Sequence, residues 1–484
     1  MQEVRLPARS PMELAGIVPP ERLSHLVDDV APRMREALQG RSVVNVNSTA
    51  VGGGVAEMLQ VLLPLSRGAD VDARWLVLDG EPDFYAITKR LHHRLHGSEG
   101  DGGPLGQAEH EVFDRVSRAN SDELAATVVA GDVVILHDPQ PAGLAAAVRS
   151  WGVPVVWRCH VGVDFRNEYT DEAWDFLRPY LEPSVDAYVF TREAYAPDWV
   201  PRDRLAVIKP SIDPLAAKNR ALDPDVVVGA LQHVGIIDGG LPDVVPFTRS
   251  DGSPGRVLHH ADIIRTGPPP QPDVPLVVQV SRWDPLKDMA GVMHAFAEHI
   301  IDGNDAHLVL AGPVVTAVSD DPEGAVVLHQ VWEQWRDLPH AARTRIQLAC
   351  LPMADVEENA VIVNALQRHA AVVVQKSYAE GFGLTVTEAL YKGRPVVASA
   401  VGGIVDQITD GQDGLLLPDP ADLVGFGERV RRLLDDPPLA ARLGEAAHRR
   451  AVDEFLPDTS LVRWENVLAA AMTGRAVPPE DREE

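Results

Sequence analysis

The chain has 484 residues, enough for two domains of ordinary size, and its 45% hydrophobic and 24% charged residues are those of a globular protein with a large core. The 44 Lys and Arg against 71 Asp and Glu give a formal net charge of -27, which argues against a surface that coats nucleic acid or an anionic membrane. Two cysteines, Cys159 and Cys350, exclude a disulfide framework and a multi-cysteine zinc site, and fit a reducing compartment.

The N-terminal stretch MQEVRLPARSPMELAGIVPPERL has no apolar core of signal-peptide length. No apolar run reaches the ~20 residues that a membrane helix needs, so a cytoplasmic protein without a membrane partner is expected. Short β-branched runs follow at 42–47, 73–78, 132–137, 154–159, 186–191 and 205–210. Continuous runs of this kind suit strands buried on both faces of a parallel sheet. Helix-like segments such as VAEMLQVLLPL (55–65) and AGLAAAVRS (142–150) lie between them. Strand–helix alternation means βαβ units in an α/β fold. Segment 213–262 reads as two or three short helical stretches and a loop, SDGSPG (250–255).

The stretch TGPPPQPDVP (266–275) cannot sustain a helix or a central strand and reads as a linker. The alternation restarts at 275–281 and continues at 306–312, 345–350, 370–377, 395–400 and 414–418. After the first of these runs, DMAGVMHAF places Met289, Val292, Met293 and Phe296 on one helix face. Beyond Pro420 the chain turns helical and ends in an acidic, Pro-containing tail. The expected organisation is one Rossmann-like domain over 1–268 and a second over 269–457, with a helix at about 458–484 packing back on the first.

Five stretches carry chemistry. In KSYAEGFGLTVTEAL (376–390) a buried strand runs into a turn that opens a helix. Gly381 and Gly383 let the backbone approach a ligand closely. The N–H groups around Gly383, Leu384 and Thr385 would face an anion at the helix N-terminus. Glu380 in the turn can reach a sugar while Glu388 on the helix reaches a ribose; the same residues also suit an ordinary turn with two surface glutamates. In SRWDPLKD (281–288), Arg282 and Lys287 sit at a strand's C-terminal end, where open α/β sheets bind ligands. They either neutralise a departing diphosphate or pair on the surface with Asp284 and Asp288. In STAVGGGVAEML (48–59), Gly52, Gly53 and Gly54 expose N–H groups at a helix start, without the G-x-G-x-x-G dinucleotide fingerprint. In RCHVGVD (158–164), His160 follows a buried run, a place where a lone histidine is usually structural. In HDPQPAG (137–143), His137, Asp138 and Gln140 suit either sugar hydroxyls or a Pro-rich turn with a helix cap. His92 and His96 have metal-binding spacing but no third ligand nearby, and the adjacent His259 and His260 form no site alone, so no metal site is expected.

Glu380 and Glu388 within EGFGLTVTE resemble the E-x7-E motif of retaining GT-B glycosyltransferases of family four. The resemblance runs from VNVNSTAVGGGVAEML to the C-terminal helices. The stretches 75–97, 136–143, 158–164 and IKPSIDPLAAKN (208–219) are most similar to trehalose glycosyltransferring synthases. It implies two facing Rossmann-like domains with the active site in the cleft between them. It implies that Glu380 contacts the transferred hexose and Glu388 the nucleotide ribose. Gly381, Phe382, Gly383, Leu384 and Thr385 would hold the diphosphate, and Arg282 and Lys287 would stabilise it as leaving group. Gly53 and Gly54 would face donor phosphates and acceptor, and His160 the donor hexose. Asp164 would support it, on an acceptor side with His137, Asp138 and Gln140.

The implied reaction is retaining transfer of glucose from UDP-, ADP- or GDP-glucose to free glucose, giving α,α-trehalose. No cofactor is required, Mg²⁺ is allowed as a companion of the nucleotide, no nucleic acid is a partner, and a homodimer is left open. Fungal-type trehalose phosphorylases share much of this pattern and would use the Arg282/Lys287 pocket for inorganic phosphate. Another small-molecule acceptor, and a nucleotide-sugar-binding protein without catalysis, are the further alternatives.

Overall fold

The structure, a computed structural model, describes residues 1–50, 54–240, 245–315 and 322–478. The chain divides into two compact units, Met1–Ile212 with the segment from Phe455, and Asp213–Glu454.

The first unit holds a seven-stranded sheet in the order β1-β3-β2-β4-β5-β6-β7. Its strands are β1 (Gln2–Glu3), β2 (Val43–Asn47), β3 (Ala73–Val77), β4 (Val133–His137), β5 (Val155–Cys159), β6 (Ala187–Phe190) and β7 (Leu205–Val207). Only β1 is antiparallel; the other strands pair in parallel. Every residue of β2, β4, β5, β6 and β7 is buried, which is why the strands read as unbroken β-branched runs. One face is packed by Leu91, Phe113, Trp157, Trp174 and Phe190. On the other, Leu62 of the Gly54–Gly68 helix and Trp464, Val467 and Leu468 of the Pro457–Thr473 helix cover Val43, Ile135 and Val189. An ion pair from Arg22 to the buried Asp458 at 2.6 Å ties that C-terminal helix down. Strand β2 is followed by β3 on one side and β4 on the other, so the connections diverge between β2 and β4. Such a switch point leaves a crevice at the strands' carboxyl ends.

The second unit has a sheet in the order β10-β13-β12-β11-β14-β15-β16 and a separate hairpin of β8 (Val245–Thr248) and β9 (Pro254–Val257). The sheet strands are β10 (Asp262–Ile264), β11 (Leu276–Val280), β12 (His307–Pro313), β13 (Ile346–Leu351), β14 (Val372–Gln375), β15 (Val396–Ser399) and β16 (Leu415–Leu417). Strands β11 to β16 run parallel in a doubly wound order whose switch point lies between β11 and β14. Met289, Val292, Met293 and Phe296 are buried in its core, as their helical spacing implies.

Two expectations are corrected. The boundary anticipated at 268 falls at Ile212, and 266–275 lies inside the second unit, between β10 and β11. Pro-rich composition marks an irregular connection but not which unit its flanks join; here β10 pairs antiparallel with β13, Asp262 opposite Cys350. Segment 213–262 is not mainly helical: it holds the Pro224–His233 helix and the hairpin, with SDGSPG at its turn. There Arg249 N–H donates to the Ser253 carbonyl at 2.8 Å, and Gly252 adopts φ 82°, a left-handed conformation that glycine takes without strain. Glu358, 1% exposed, fastens the segment by accepting from the Leu258 and His259 N–H groups at 2.6 and 2.7 Å.

Candidate active site

In the second unit the loops after β11 and β14 meet at the switch point. Gln279, fully buried near the end of β11, joins them: its Nε2 donates to the Lys287 carbonyl at 2.7 Å, and its Oε1 accepts from the Lys376 N–H at 3.2 Å. Lys287 Nζ lies 2.7 Å from Glu380 Oε1, with both side chains largely buried. The same Glu380 oxygen accepts from Ser377 Oγ at 3.1 Å and Gln375 Nε2 at 3.3 Å. Two of the sequence-derived residues are thus brought together directly. Arg282 is exposed and pairs with Asp284 at 3.2 Å, the plain surface arrangement for that residue. Asp288 does not pair with Lys287. It adopts φ 45°, caps the following helix by accepting from the Gly291 N–H, and forms an ion pair with the fully buried Lys376.

Gly383 takes φ 90° and is the N-cap of the Leu384–Tyr391 helix, where it has no side chain with which to cap the first-turn amides. Its first-turn amides at Leu384 and Thr385 therefore head the turn as an anion site requires. Phe382 is buried against Gly403, so what it offers a ligand is its main chain. Gln407 fixes the turn by donating to the Phe382 carbonyl and accepting from Thr387 Oγ1. Glu388, four residues into the helix, is 3% exposed; Lys218 Nζ meets its Oε1 at 3.2 Å. Among the described residues no group donates to its Oε2. A buried carboxylate with one oxygen unmatched is poised to accept from a ligand's hydroxyls.

Lys218 lies in the stretch IKPSIDPLAAKN but has no role legible in the sequence, because it stands in an irregular loop and meets Glu388 only through tertiary packing. That loop is clamped. Asn364 Nδ2 donates to the Ala217 and Arg220 carbonyls at 2.8 Å. The buried Lys392 donates to Asn219 Oδ1 at 3.0 Å and Gln367 Oε1 at 2.8 Å. Burial lowers the Lys392 ammonium to about 7, against the raising effect of Glu388.

In the first unit, β4 and β5 bring His137, Asp138 and His160 together. The His137 and His160 rings stack 14° from parallel, with Nδ1 of His137 3.2 Å from Nε2 of His160. His137 is 1% exposed, and its Nε2 meets Asn45 Oδ1 at 2.9 Å. Both its nitrogens are thus engaged inside the protein, one with His160 and one with Asn45. Asp138, at φ 67°, accepts from the His160 N–H at 2.7 Å. Burial pushes its carboxyl up to about 7. Burial, reinforced by the Arg158 charge, pushes His137 down to about 3 and His160 well below its usual range. Arg158 is itself fully buried, donating to the Phe190 and Ile208 carbonyls. Asp164 forms an ion pair with Arg192, and Gln140 is half-buried in the turn after β4. Gly54 opens its helix on the surface, whereas Gly52 and Gly53 lie outside the described residues. Among the described residues no group of three or more His, Cys, Asp or Glu could hold a metal ion, and no helix is long and apolar enough to cross a membrane.

Residues 261–450 match the family of group 1 glycosyl transferases. The Escherichia coli trehalose-6-phosphate structure bound with UDP-2-fluoro glucose is similar in fold, with a TM-score of 0.63 at 14% identity over 89% of this chain and 98% of that one. Two Rossmann-like units and this match define a glycosyltransferase of the GT-B class. Residues 45–197 match the N-terminal domain of trehalose synthase. The trehalose synthase of Pyrococcus horikoshii is 33% identical over 90% of this chain and 91% of its own length. A trehalose phosphorylase of Grifola frondosa is 24% identical over 94% of this chain and 62% of its own. The chain belongs to the trehalose synthase family, and its chemistry is glycosyl transfer in trehalose metabolism.

Proposed function

We propose that the protein transfers glucose from a nucleoside diphosphate glucose to free glucose with retention, forming α,α-trehalose and releasing the nucleoside diphosphate. The observation that carries this reading is Glu388, buried and with Oε2 unmatched on the helix that begins at Gly383. A ribose has the vicinal hydroxyls to fill it, and phosphorolysis with inorganic phosphate would leave it idle. The diphosphate is assigned to the amides of Gly383, Leu384 and Thr385, with Gly381 allowing close backbone approach; Gly53 and Gly54 are assigned to the donor by the family resemblance alone. Arg282 and Lys287 counter the charge that grows on it as the bond from the glucose anomeric carbon breaks. The acceptor's anomeric hydroxyl oxygen forms the new bond on the same face, and its proton passes to a departing diphosphate oxygen. Glu380, His160 and Asp138 orient the sugars, and Gln140 and Asp164 are assigned to the acceptor side. UDP-, ADP- and GDP-glucose are the candidate donors, with Mg²⁺ as an optional companion.

Product analysis by NMR tests this reading. One tube holds protein, each donor in turn and glucose; a second holds trehalose and inorganic phosphate. Trehalose with stoichiometric nucleoside diphosphate in the first is the expected result. Glucose 1-phosphate in the second tube alone would make the protein a phosphorylase.

A further inference from the structure

The His137–His160 pair has a proton direction that the surrounding residues fix. Asn45, 2% exposed on β2, places Nδ2 3.4 Å from the Arg74 carbonyl, which can only accept. Its Oδ1 therefore faces His137 Nε2 at 2.9 Å, and an amide oxygen can only accept as well. His137 Nε2 must carry a hydrogen. Burial and the nearby Arg158 guanidinium keep both rings neutral, so each carries one ring proton. His137 Nδ1 is then bare and accepts, and its partner 3.2 Å away, His160 Nε2, must carry the hydrogen. The remaining nitrogen of His160, Nδ1, is left as an acceptor. Behind the pair, Asn45 and His137 border a mainly apolar cavity lined by Val43, Leu62, Ile135 and Leu468, where the hydroxyl of Ser66 is engaged with the Leu62 carbonyl of its own helix.

We infer that Asn45 is a positioning residue that sets the proton direction of the His137–His160 pair, so that the half-buried His160 meets a ligand hydroxyl through Nδ1 as an acceptor and never as a donor. The identity of the ligand as a sugar rests on the proposed function; the direction of the chain does not. A ring that only accepts selects a hydroxyl that donates, and it keeps positive charge away from the sugar it touches.

Long-range ¹H–¹⁵N spectra of protein with labelled histidine read the chain without substrate, because protonated and bare ring nitrogens resolve separately. In the wild type, His137 and His160 should both be protonated at Nε2; protonation of His160 at Nδ1 overturns the inference. Asn45→Asp sets a carboxylate against His137 and draws a second proton onto that ring at Nδ1. His160 Nε2 must then accept, and His160 should switch to the Nδ1-protonated form. Asn45→Leu removes the reference group and should give a mixture. Either variant should lower the transfer rate about tenfold, the scale of one lost hydrogen bond, with nucleotide affinity unchanged. Histidine spectra identical in wild type and Asn45→Asp refute the role of Asn45. The expected spectra from a protein that makes no trehalose would instead refute the proposed function and leave the positioning role standing.

Discussion

Glu388→Gln separates a ribose-binding carboxylate from a merely buried one. The glutamine keeps the size of a side chain that is 3% exposed and removes its charge. Among the described residues Lys218 meets Oε1 at 3.2 Å and no group donates to Oε2, so at least one strong acceptor position awaits a ligand hydroxyl. A hydrogen bond to a charged group contributes about 1.5–3 kcal/mol. At about 1.4 kcal/mol per tenfold change, the dissociation constant of the nucleoside diphosphate should rise roughly 10- to 100-fold. Lys218, whose side chain is 30% exposed, can rehydrate when its partner is neutralised. The loss should thus fall on binding, and urea midpoints should stay close to wild type. Calorimetric titration with a nucleoside diphosphate and its 2′,3′-dideoxy analogue closes the cycle. Removing the hydroxyls should weaken binding to wild type and change little for the variant. An equal loss on both proteins, or wild-type affinity in Glu388→Gln, would refute the assignment of Glu388 to ribose.

Two further outcomes follow from the same geometry. Lys287→Ala should lower kcat by about 10²-fold, the scale for a lost transition-state donor, with Arg282→Ala in the same range; steady-state rates unchanged in both variants would remove the pair from the leaving-group role. The second concerns pH. His137 is held near 3 in the fold, against about 6.5 when unfolded. Below pH 6.5 the unfolded chain therefore takes up a proton that the folded ring refuses. The stability this site contributes is complete above pH 6.5 and is lost as pH falls toward 3, at up to about 1.4 kcal/mol per pH unit. Asp138, pushed up to about 7, acts with opposite sign, losing stability as pH rises. Comparison with His137→Asn isolates the histidine, since Asp138 is present in both proteins. In urea unfolding from pH 4.5 to 6, stability should rise with pH by up to about 1.4 kcal/mol per unit less in the variant than in the wild type, and parallel curves would contradict the buried neutral ring.

The parallel strands were legible because burial on both faces demands unbroken apolar runs, and runs such as VVILH and LVVQV satisfy little else. The hairpin at 245–257 was not. Its strands VPFT and PGRV are four residues each, carry proline, and alternate buried and exposed residues over too short a span to show a period. The boundary at Ile212 was hidden for a related reason: β10 joins the second sheet by antiparallel pairing with β13, a long-range contact that composition does not encode. At the site, spacing identified Glu380 and Glu388 but not their opposite surroundings. Glu380 meets Lys287 from the neighbouring loop, whereas Glu388 is carried inward by the helix to Lys218. His137 and His160 were each visible as strand-end histidines, while their contact depends on the β4–β5 register that pairs His137 with Arg158.

The two units solve one problem in the same way. At a switch point the connections leave the sheet in opposite directions, so the carboxyl ends of the two central strands are the least covered part of the sheet. A polar side chain placed there must find its partners across the gap, because a buried polar group left unmatched costs more than its hydrogen bond returns. Each unit sets a buried carboxamide near this position on the first parallel strand in chain order. Asn45 on β2 reaches His137 at the end of β4, and Gln279 on β11 reaches Lys376 just beyond β14 and the Lys287 carbonyl. An amide suits the task better than a carboxylate or an ammonium, since it donates on one side and accepts on the other without a charge to desolvate. These two residues lie outside the five chemistry-bearing stretches, yet they hold residues inside them in place. Motifs at the ends of buried strands thus depend on polar residues inside those strands, and a polar interruption of an otherwise apolar run next to a switch point is the sequence signal by which such supports can be found.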